Sequence, residues 1–365
     1  MQGLHLVGNE LKFIIPQARY FSEVDAGRKN RFLFVIGKRH ELYLTIKKLP
    51  NSILVDTTNI DRLPKLLALP LKYMLTWYNL IVYSNMASKI YLHGIFDIKI
   101  MLFYGLFRKY DHKLCWMIWG GGDVYPEGFI KKFSLLKYFD KRVKNNINNY
   151  LTYIESDFLQ CQNIYNSKAS HTNFLMYESN CIGDVGKICE KKKGTSTSLT
   201  ILLGNSADPA NCHIDALDWL GCNSSVIQEI IIPFSYGFKP WRPNYRNELC
   251  AKIPLNLQSR VTFLDDYMSY SKYVDLLNTV DVAVMPHLRQ QGMGNLIQLV
   301  NGNATIYLNQ NNNVCSYFRA IGVHVQTIGA PIELSEDTVL ADNLSAIRKF
   351  HSWTTYETQV RDIFL

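Results

Sequence analysis

Residues 284–309, VMPHLRQQGMGNLIQLVNGNATIYLN, read as a β-branched strand, a loop with two glycines, an apolar helix from Asn295 to Asn301, and a second strand at Thr305–Leu308. A strand, a helix and a strand joined this tightly make a crossover unit, and crossover units build parallel sheets. Gly292 and Gly294 stand where the first strand hands over to the helix. Glycine there lets an anion approach the backbone, and the exposed N–H groups and helix dipole favour its charge. The same pattern also serves as a plain tight turn, so the rest of the chain has to discriminate.

The alternation extends in both directions. Upstream in the second half are strands at Leu199–Leu203, Glu229–Pro233, Val261–Leu264 and Val282–Met285. Helices are expected between them at Asn211–Gly221, Tyr245–Ile253 and Met268–Val280. The first half predicts strands at Gly3–Val7, Arg31–Ile36, Leu42–Ile46, Ser52–Val55, Lys89–His93, Leu114–Trp119, Thr152–Ile154 and Thr172–Met176. Helices are expected at Asp61–Asn85, Ile98–Arg108 and Lys131–Asn148, with a last one near Leu344–Phe350. Between the halves, residues 183–198 (GDVGKICEKKKGTSTS) are lysine-rich, small and polar. The expected organisation is an α/β chain with two Rossmann-like, doubly wound parallel-sheet domains facing a cleft. Residues 1–183 form the N-terminal domain, 184–198 a linker, 199–330 the C-terminal domain, and 331–365 a helical segment able to pack back on the N-terminal domain.

A length of 365 residues favours two cores, and 47% hydrophobic with 19% charged residues describes an ordered protein. The net charge of +8 favours anionic partners. Lys191-Lys192-Lys193 lacks the interleaved aromatics of a nucleic-acid reader, so no nucleic-acid partner is expected. Eight cysteines show no CxxC pair and no metal-ligand spacing with histidine, and no basic and apolar leader opens the sequence. The expectation is free thiols in the cytoplasm and no bound metal. Leu63–Met86 is the longest apolar stretch, broken by Pro70 and Lys72, too short a run to span a membrane. Tyr73, Trp77, Tyr78 and Tyr83, with Lys65, Lys72, Lys89, Arg108 and Lys109 nearby, leave two readings: a helix packed on a sheet, or one docked at a membrane surface.

Candidate site residues cluster at strand ends. The turn Gly204-Asn205-Ser206 can present N–H groups and a hydroxyl to a phosphate, or simply lead into a helix capped by Asp208 or Asn211. Pro233 ends the next strand, with Phe234 and Tyr236 available to stack on a base. Arg289, Gln290 and Gln291 precede Gly292, and Asn295 follows Gly294; an arginine there suits a bidentate diphosphate contact. In the first half, Trp119-Gly120-Gly121-Gly122-Asp123 ends a buried strand, which makes Asp123 a candidate general base, with His93 of the adjoining strand a second.

These segments, taken in order, resemble glycosyltransferase family 56, the bacterial 4-acetamido-4,6-dideoxygalactose transferases of enterobacterial common antigen assembly. The resemblance is carried by His93-Gly94-Ile95-Phe96, by Trp116-Met117-Ile118-Trp119 with Asp123-Val124-Tyr125, and by Leu202-Leu203-Gly204-Asn205-Ser206. It continues through Ile231-Ile232-Pro233-Phe234-Ser235-Tyr236 and ends with Arg289-Gln290-Gln291-Gly292-Met293-Gly294. One departure is an extra residue between Trp119 and Asp123, which bears on how Asp123 is aimed.

The resemblance implies a GT-B fold with the donor on the C-terminal domain and the acceptor on the N-terminal one. It implies a dTDP-activated 4-amino-4,6-dideoxy sugar, an undecaprenyl-diphosphate-linked glycan acceptor, no metal cofactor, and a peripheral position on the inner face of the bacterial inner membrane. The helix after the glycine loop reads Asn295-Leu296-Ile297-Gln298, without the carboxylate that holds ribose hydroxyls in many retaining GT-B enzymes; this agrees with a deoxyribose donor. Other readings are a GT-B transferase for a UDP- or GDP-sugar, and a non-catalytic nucleotide- or glycan-binding protein on the same scaffold.

Overall fold

The structure, a computed structural model, describes residues 1–8, 11–124, 132–182 and 198–365. Tyr125 and residues 184–197 of the expected linker lie outside the described residues. The chain divides into two compact units, one made of Met1–Ser179 with Tyr356–Leu365, the other of Asn180–Thr355.

In the first unit the strands are β1 (Gly3–Val7), β2 (Asn30–Ile36), β3 (Ser52–Asp56), β4 (Lys89–His93), β5 (Leu114–Met117), β6 (Asn149–Leu151) and β7 (Ser170–Thr172). They form one parallel sheet ordered β3-β2-β1-β4-β5-β6-β7. The connecting helices are α1 (Leu11–Val24), α2 (Tyr43–Lys47), α3 (Lys65–Met86), α4 (Ile98–Leu106), α5 (Gly121–Val124), α6 (Ser134–Asn145) and α7 (Glu155–Tyr165). With both faces covered, every residue of β1 is buried. Leu4 and Leu6 join one core with Leu33, Ile90, Leu92 and Trp116. His5 points to the opposite face, stacked on Phe32 and Tyr91. Phe364 of the C-terminal helix closes that side, its ring 5.5 Å from His5, 5.1 Å from Phe21, 4.9 Å from Tyr91 and 5.2 Å from Phe174.

The second unit holds β8 (Leu199–Leu203), β9 (Ile227–Pro233), β10 (Val261–Leu264), β11 (Val282–Met285), β12 (Thr305–Leu308) and β13 (Gln326–Thr327), parallel and ordered β10-β9-β8-β11-β12-β13. Its helices are α8 (His213–Cys222), α9 (Tyr245–Lys252), α10 (Tyr270–Leu277), α11 (Met293–Asn301), α12 (Asn313–Ile321) and α13 (Asp337–Phe350). The segment after residue 330 divides, with α13 in this unit and most of α14 (Trp353–Phe364) in the first. The strand order reverses at β8 and β11, whose carboxyl ends frame the crevice where open α/β sheets bind ligands.

Several local expectations are corrected. Leu42–Ile46 is not a strand; α2 occupies it and buries Tyr43 and Ile46, three residues apart, on one helical face. Helix α1 was not anticipated, because Pro16 interrupts a segment that nevertheless buries Leu11, Ile14, Ile15, Ala18 and Phe21 at helical spacing. The last two strands lie a few residues earlier than expected, at β6 and β7. The register explains the shift: Cys115 pairs with Asn149, and Asn149 with Ser170.

Candidate functional site

The site of the second unit grows from the end of β8. Gly204 donates its N–H to the Val284 carbonyl of β11 at 2.9 Å and then turns with φ +71°. A Cβ at this point would lie 2.3 Å from His213 Nε2, so no side chain fits. Asn211, fully buried, holds the turn together. Its Oδ1 accepts from Asn205 N at 2.8 Å, and its Nδ2 donates to Ser206 O at 3.1 Å, Ser206 Oγ at 3.0 Å and Asp208 O at 3.0 Å. Asp208 caps the short turn that follows by accepting from Ala210 N. The Ser206 hydroxyl is therefore buried and engaged, and it shapes the turn instead of presenting itself to a ligand.

The other side is the glycine loop that leads into α11. Gly292 is the N-cap of α11 at φ +66°, and a Cβ on it would meet Asn205 Cγ at 2.9 Å. Gln291 Nε2 donates to Asn205 Oδ1 at 3.3 Å. The Gly204–Ser206 turn and the Gln291–Gly292 corner thus touch. The helix starts at Met293, earlier than the expected Asn295, so Gly294 lies inside the first turn and is not among the left-handed glycines. N–H groups of that first turn have no intrahelical acceptor and bear the positive end of the helix dipole. Arg289 is half-buried and Gln290 buried on the approach to this terminus.

Pro233 is buried at the end of β9, paired with Leu264. The following turn packs on the first one: Ala207 N donates to Tyr236 O at 2.7 Å, and Gly237, at φ +91°, leaves no room for a Cβ beside Ser206 Oγ. Of the two aromatic candidates for stacking, Phe234 is core, packed with Tyr245 and Phe263, whereas Tyr236 is 44% exposed and its hydroxyl accepts from Asn205 Nδ2. Asn295 Nδ2 donates to Tyr273 Oη at 2.9 Å. Two buried histidines underlie the loops. Burial depresses His213 to a pKa of about 3, with Tyr245 Oη 2.9 Å from its Nδ1, and His287 to about 4, beside Asn312, whose Nδ2 donates to the His287 carbonyl. Both imidazoles are neutral supports. Asn211 was expected only as a helix cap and instead braces the turn. His213, His287 and Asn312 escaped the sequence reading, and of these only Asn312, an N-cap accepting from Val314 N, leaves a local signal.

In the first unit the two catalytic candidates sit at the ends of β4 and β5, as expected, and both side chains are buried there. Asp123 is 1% exposed. Its Oδ1 accepts from Ile95 N at 2.8 Å, and its Oδ2 accepts from Trp116 Nε1 at 2.8 Å and Trp119 N at 3.1 Å. Burial pushes its pKa up to about 6, against the opposing pull of Lys144 and these donors. Lys144, itself buried, pairs with Asp140 at 2.8 Å and donates to the Asp123 carbonyl at 2.6 Å. The carboxylate laces two strand ends together, and the glycine-rich loop folds it inward. His93 has both ring nitrogens occupied, Nε2 by His5 Nδ1 at 2.9 Å and Nδ1 by Tyr177 Oη at 3.0 Å; burial, then His5, holds its pKa well below the usual range.

Solved structures share this fold. HepE from Anabaena, in complex with UDP and glucose, is 12% identical with a TM-score of 0.65, the match covering 99% of this chain and 98% of that one. A sucrose-phosphate synthase from Thermosynechococcus elongatus is 10% identical with a TM-score of 0.62, covering 100% and 98%. A trehalose-phosphate synthase from Burkholderia vietnamiensis is 9% identical with a TM-score of 0.60, covering 99% of each chain. At these identities the likeness is one of fold, and the fold is GT-B; that the protein is a glycosyltransferase is shown by its family match. Residues 68–345 match the family described as 4-alpha-L-fucosyltransferase, glycosyl transferase group 56, and the chain belongs to that group.

Proposed function

We propose that this transferase moves a 4-acylamino-4,6-dideoxyhexose from a dTDP-sugar to a hydroxyl of an undecaprenyl-diphosphate-linked glycan, in O-antigen or enterobacterial common antigen assembly at the inner face of the inner membrane. The observation that carries the donor half is the meeting of Gly204–Ser206 and Gln291–Gly292 at the carboxyl ends of β8 and β11. Two glycines at positive φ bring backbone close to any ligand there, and the α11 terminus with Arg289 supplies the charge that stabilises a departing diphosphate. Metal-independent transfer is part of the proposal, and activity that survives a chelator is its test.

The deoxyribose preference rests on α11, where Asn295 is engaged with Tyr273 and Gln298 with Tyr270, and no carboxylate stands ready for a 2′-hydroxyl. A UDP-sugar donor is the second reading, favoured by the UDP bound in the HepE structure. Thermal shift with dTDP, UDP and GDP separates the two: a clear upward shift with dTDP alone supports the proposal, and a larger one with UDP or GDP overturns it. Mass spectrometry of the lipid-linked product then reports sugar and acceptor. Asp123 and His93 are proposed as groups that set the strand ends of the acceptor unit. Asp123→Asn should therefore lower transfer while nucleotide binding by the second unit persists.

A further inference from the structure

Helix α3 is apolar on both faces: Leu75, Trp77, Leu80 and Tyr83 pack toward the core, and a second apolar set points outward. Its buried positions are Ala68, Thr76, Leu80 and Ser84, and Ser84 Oγ lies 2.7 Å from Tyr104 Oη. Its outer positions carry Leu66 at 85% exposure, Leu67, Leu71, Met74 at 68%, Tyr78 at 67%, and Ile81. Positions 67, 71, 74, 78 and 81 recur at the helical period and form one stripe of about 20 Å. A surface helix in water keeps its outer face polar, so a contiguous apolar stripe there marks a partner. Trp77 and Tyr73 are not in the stripe: Trp77 packs on Phe103 and Phe107, with Tyr73 against it. The outer face is made of Leu67, Leu71, Met74, Tyr78 and Ile81, so of the four aromatic residues of this helix only Tyr78 lies on it.

Helix α4 packs beside α3, and α6 beside α4; α6 adds exposed Leu135 and Tyr138. The charge around this layer is one-sided. Between residues 57 and 124 the carboxylates are engaged: Asp61 with Lys72, Asp97 with Lys99, Asp111 with Arg142, and Asp123 with its three donors. Arg62, Lys65, Lys89, Arg108 and Lys109 are exposed, as are Lys137 and Lys141 of α6. Among the described residues no helix is long and apolar enough to cross a membrane.

We propose that the outer stripe of α3, with its flanking cations, seats the first unit on an anionic lipid bilayer, the helix lying along the interface. Apolar side chains enter the acyl boundary while lysines and arginines meet anionic head groups. A second copy of the chain fits less well, because a two-fold contact through this face would set the same cations against each other. The inference rests on the proposed function only for which membrane is met.

The test is flotation of the full chain with phosphatidylcholine–phosphatidylglycerol vesicles and with pure phosphatidylcholine, without donor or acceptor, so its failure is separate from any failure of the transfer reading. Binding to the anionic vesicles is expected, weakened by salt. It should fall about tenfold or more in Leu67→Gln/Met74→Gln and in Lys65→Glu/Lys109→Glu, with circular dichroism and melting unchanged. The proposal is overturned if the protein does not float or if it binds both vesicle types equally. Undiminished binding by either folded variant, or a vesicle-free dimer that the Leu67/Met74 variant dissolves, would also overturn it.

Discussion

Gly292 lies so close to Asn205 that the two residues, 87 positions apart, share one corner of the second unit, with Gln291 bonded to the same amide. A methyl group at 292 would meet Asn205 and also strain the left-handed backbone by about 1–2 kcal/mol. Gly292→Ala should weaken nucleotide binding about tenfold or more, read by calorimetric titration. Unchanged affinity would remove the α11 terminus from the donor site.

Asn211 gives the neighbouring turn three donated hydrogen bonds and one accepted one, all from a fully buried side chain. Asn211→Ala removes the side-chain partner of the Asn205 N–H and of the Ser206 carbonyl, at a cost of about 1–3 kcal/mol or more. A lowered melting temperature is expected, together with reduced nucleotide affinity, whereas a surface change at Asn256 should alter neither.

The Lys144–Asp140 pair is buried on both sides. Lys144→Met strands the Asp140 carboxylate and should cost about 3–5 kcal/mol in a urea titration. Lys144→Met/Asp140→Leu should recover a good part of that loss. If the single and double variants were equally destabilised, the stranded charge would not be the cause.

Acid should destabilise the protein. Burial depresses His5 and His213 to about 3, His287 and His351 to about 4, and His93 well below the ordinary value. Unfolded imidazoles bind protons near pH 6.5, so the unfolded chain gains protons that the folded one refuses. Stability is complete above that pH and is lost as pH falls toward 3–4. Asp123, pushed up to about 6, acts in the opposite sense between about pH 4 and 6. Burial raises Asp111, Asp140 and Glu178 in the same sense as Asp123. Each group contributes at most about 1.4 kcal/mol per pH unit within its window, and the five histidines, with their wider windows, outweigh these carboxyls. Melting temperature should drop steeply from pH 6.5 to 5; a flat profile would contradict neutral burial.

The parallel sheets, the crossover helices and the two glycine turns of the second unit were legible because each is a local pattern: buried β-branched runs, helical spacing, glycine where a strand ends. What supports those turns was not. Asn211 and His213 act on Gly204 through space, and His287 depends on Asn312 on the far side of β12. Asp123 stood out by its place after Trp119, yet its role turned on donors from Ile95 and Trp116, and on Lys144 behind it. Helix α3 was found with nearly correct ends, but which of its faces met the sheet depended on α4, so its exposed stripe could not be read from the apolar run alone.

Phe364 lies in the aromatic cluster around His5, although the whole second unit intervenes in the chain. Translation therefore delivers the first unit's closing residue after residues 180–355 have already emerged. Until residues 356–365 arrive, the ring of His5 has one side uncovered and the first unit lacks its last helix. A chaperone or protease meeting the growing chain would find its vulnerable surface at the older end.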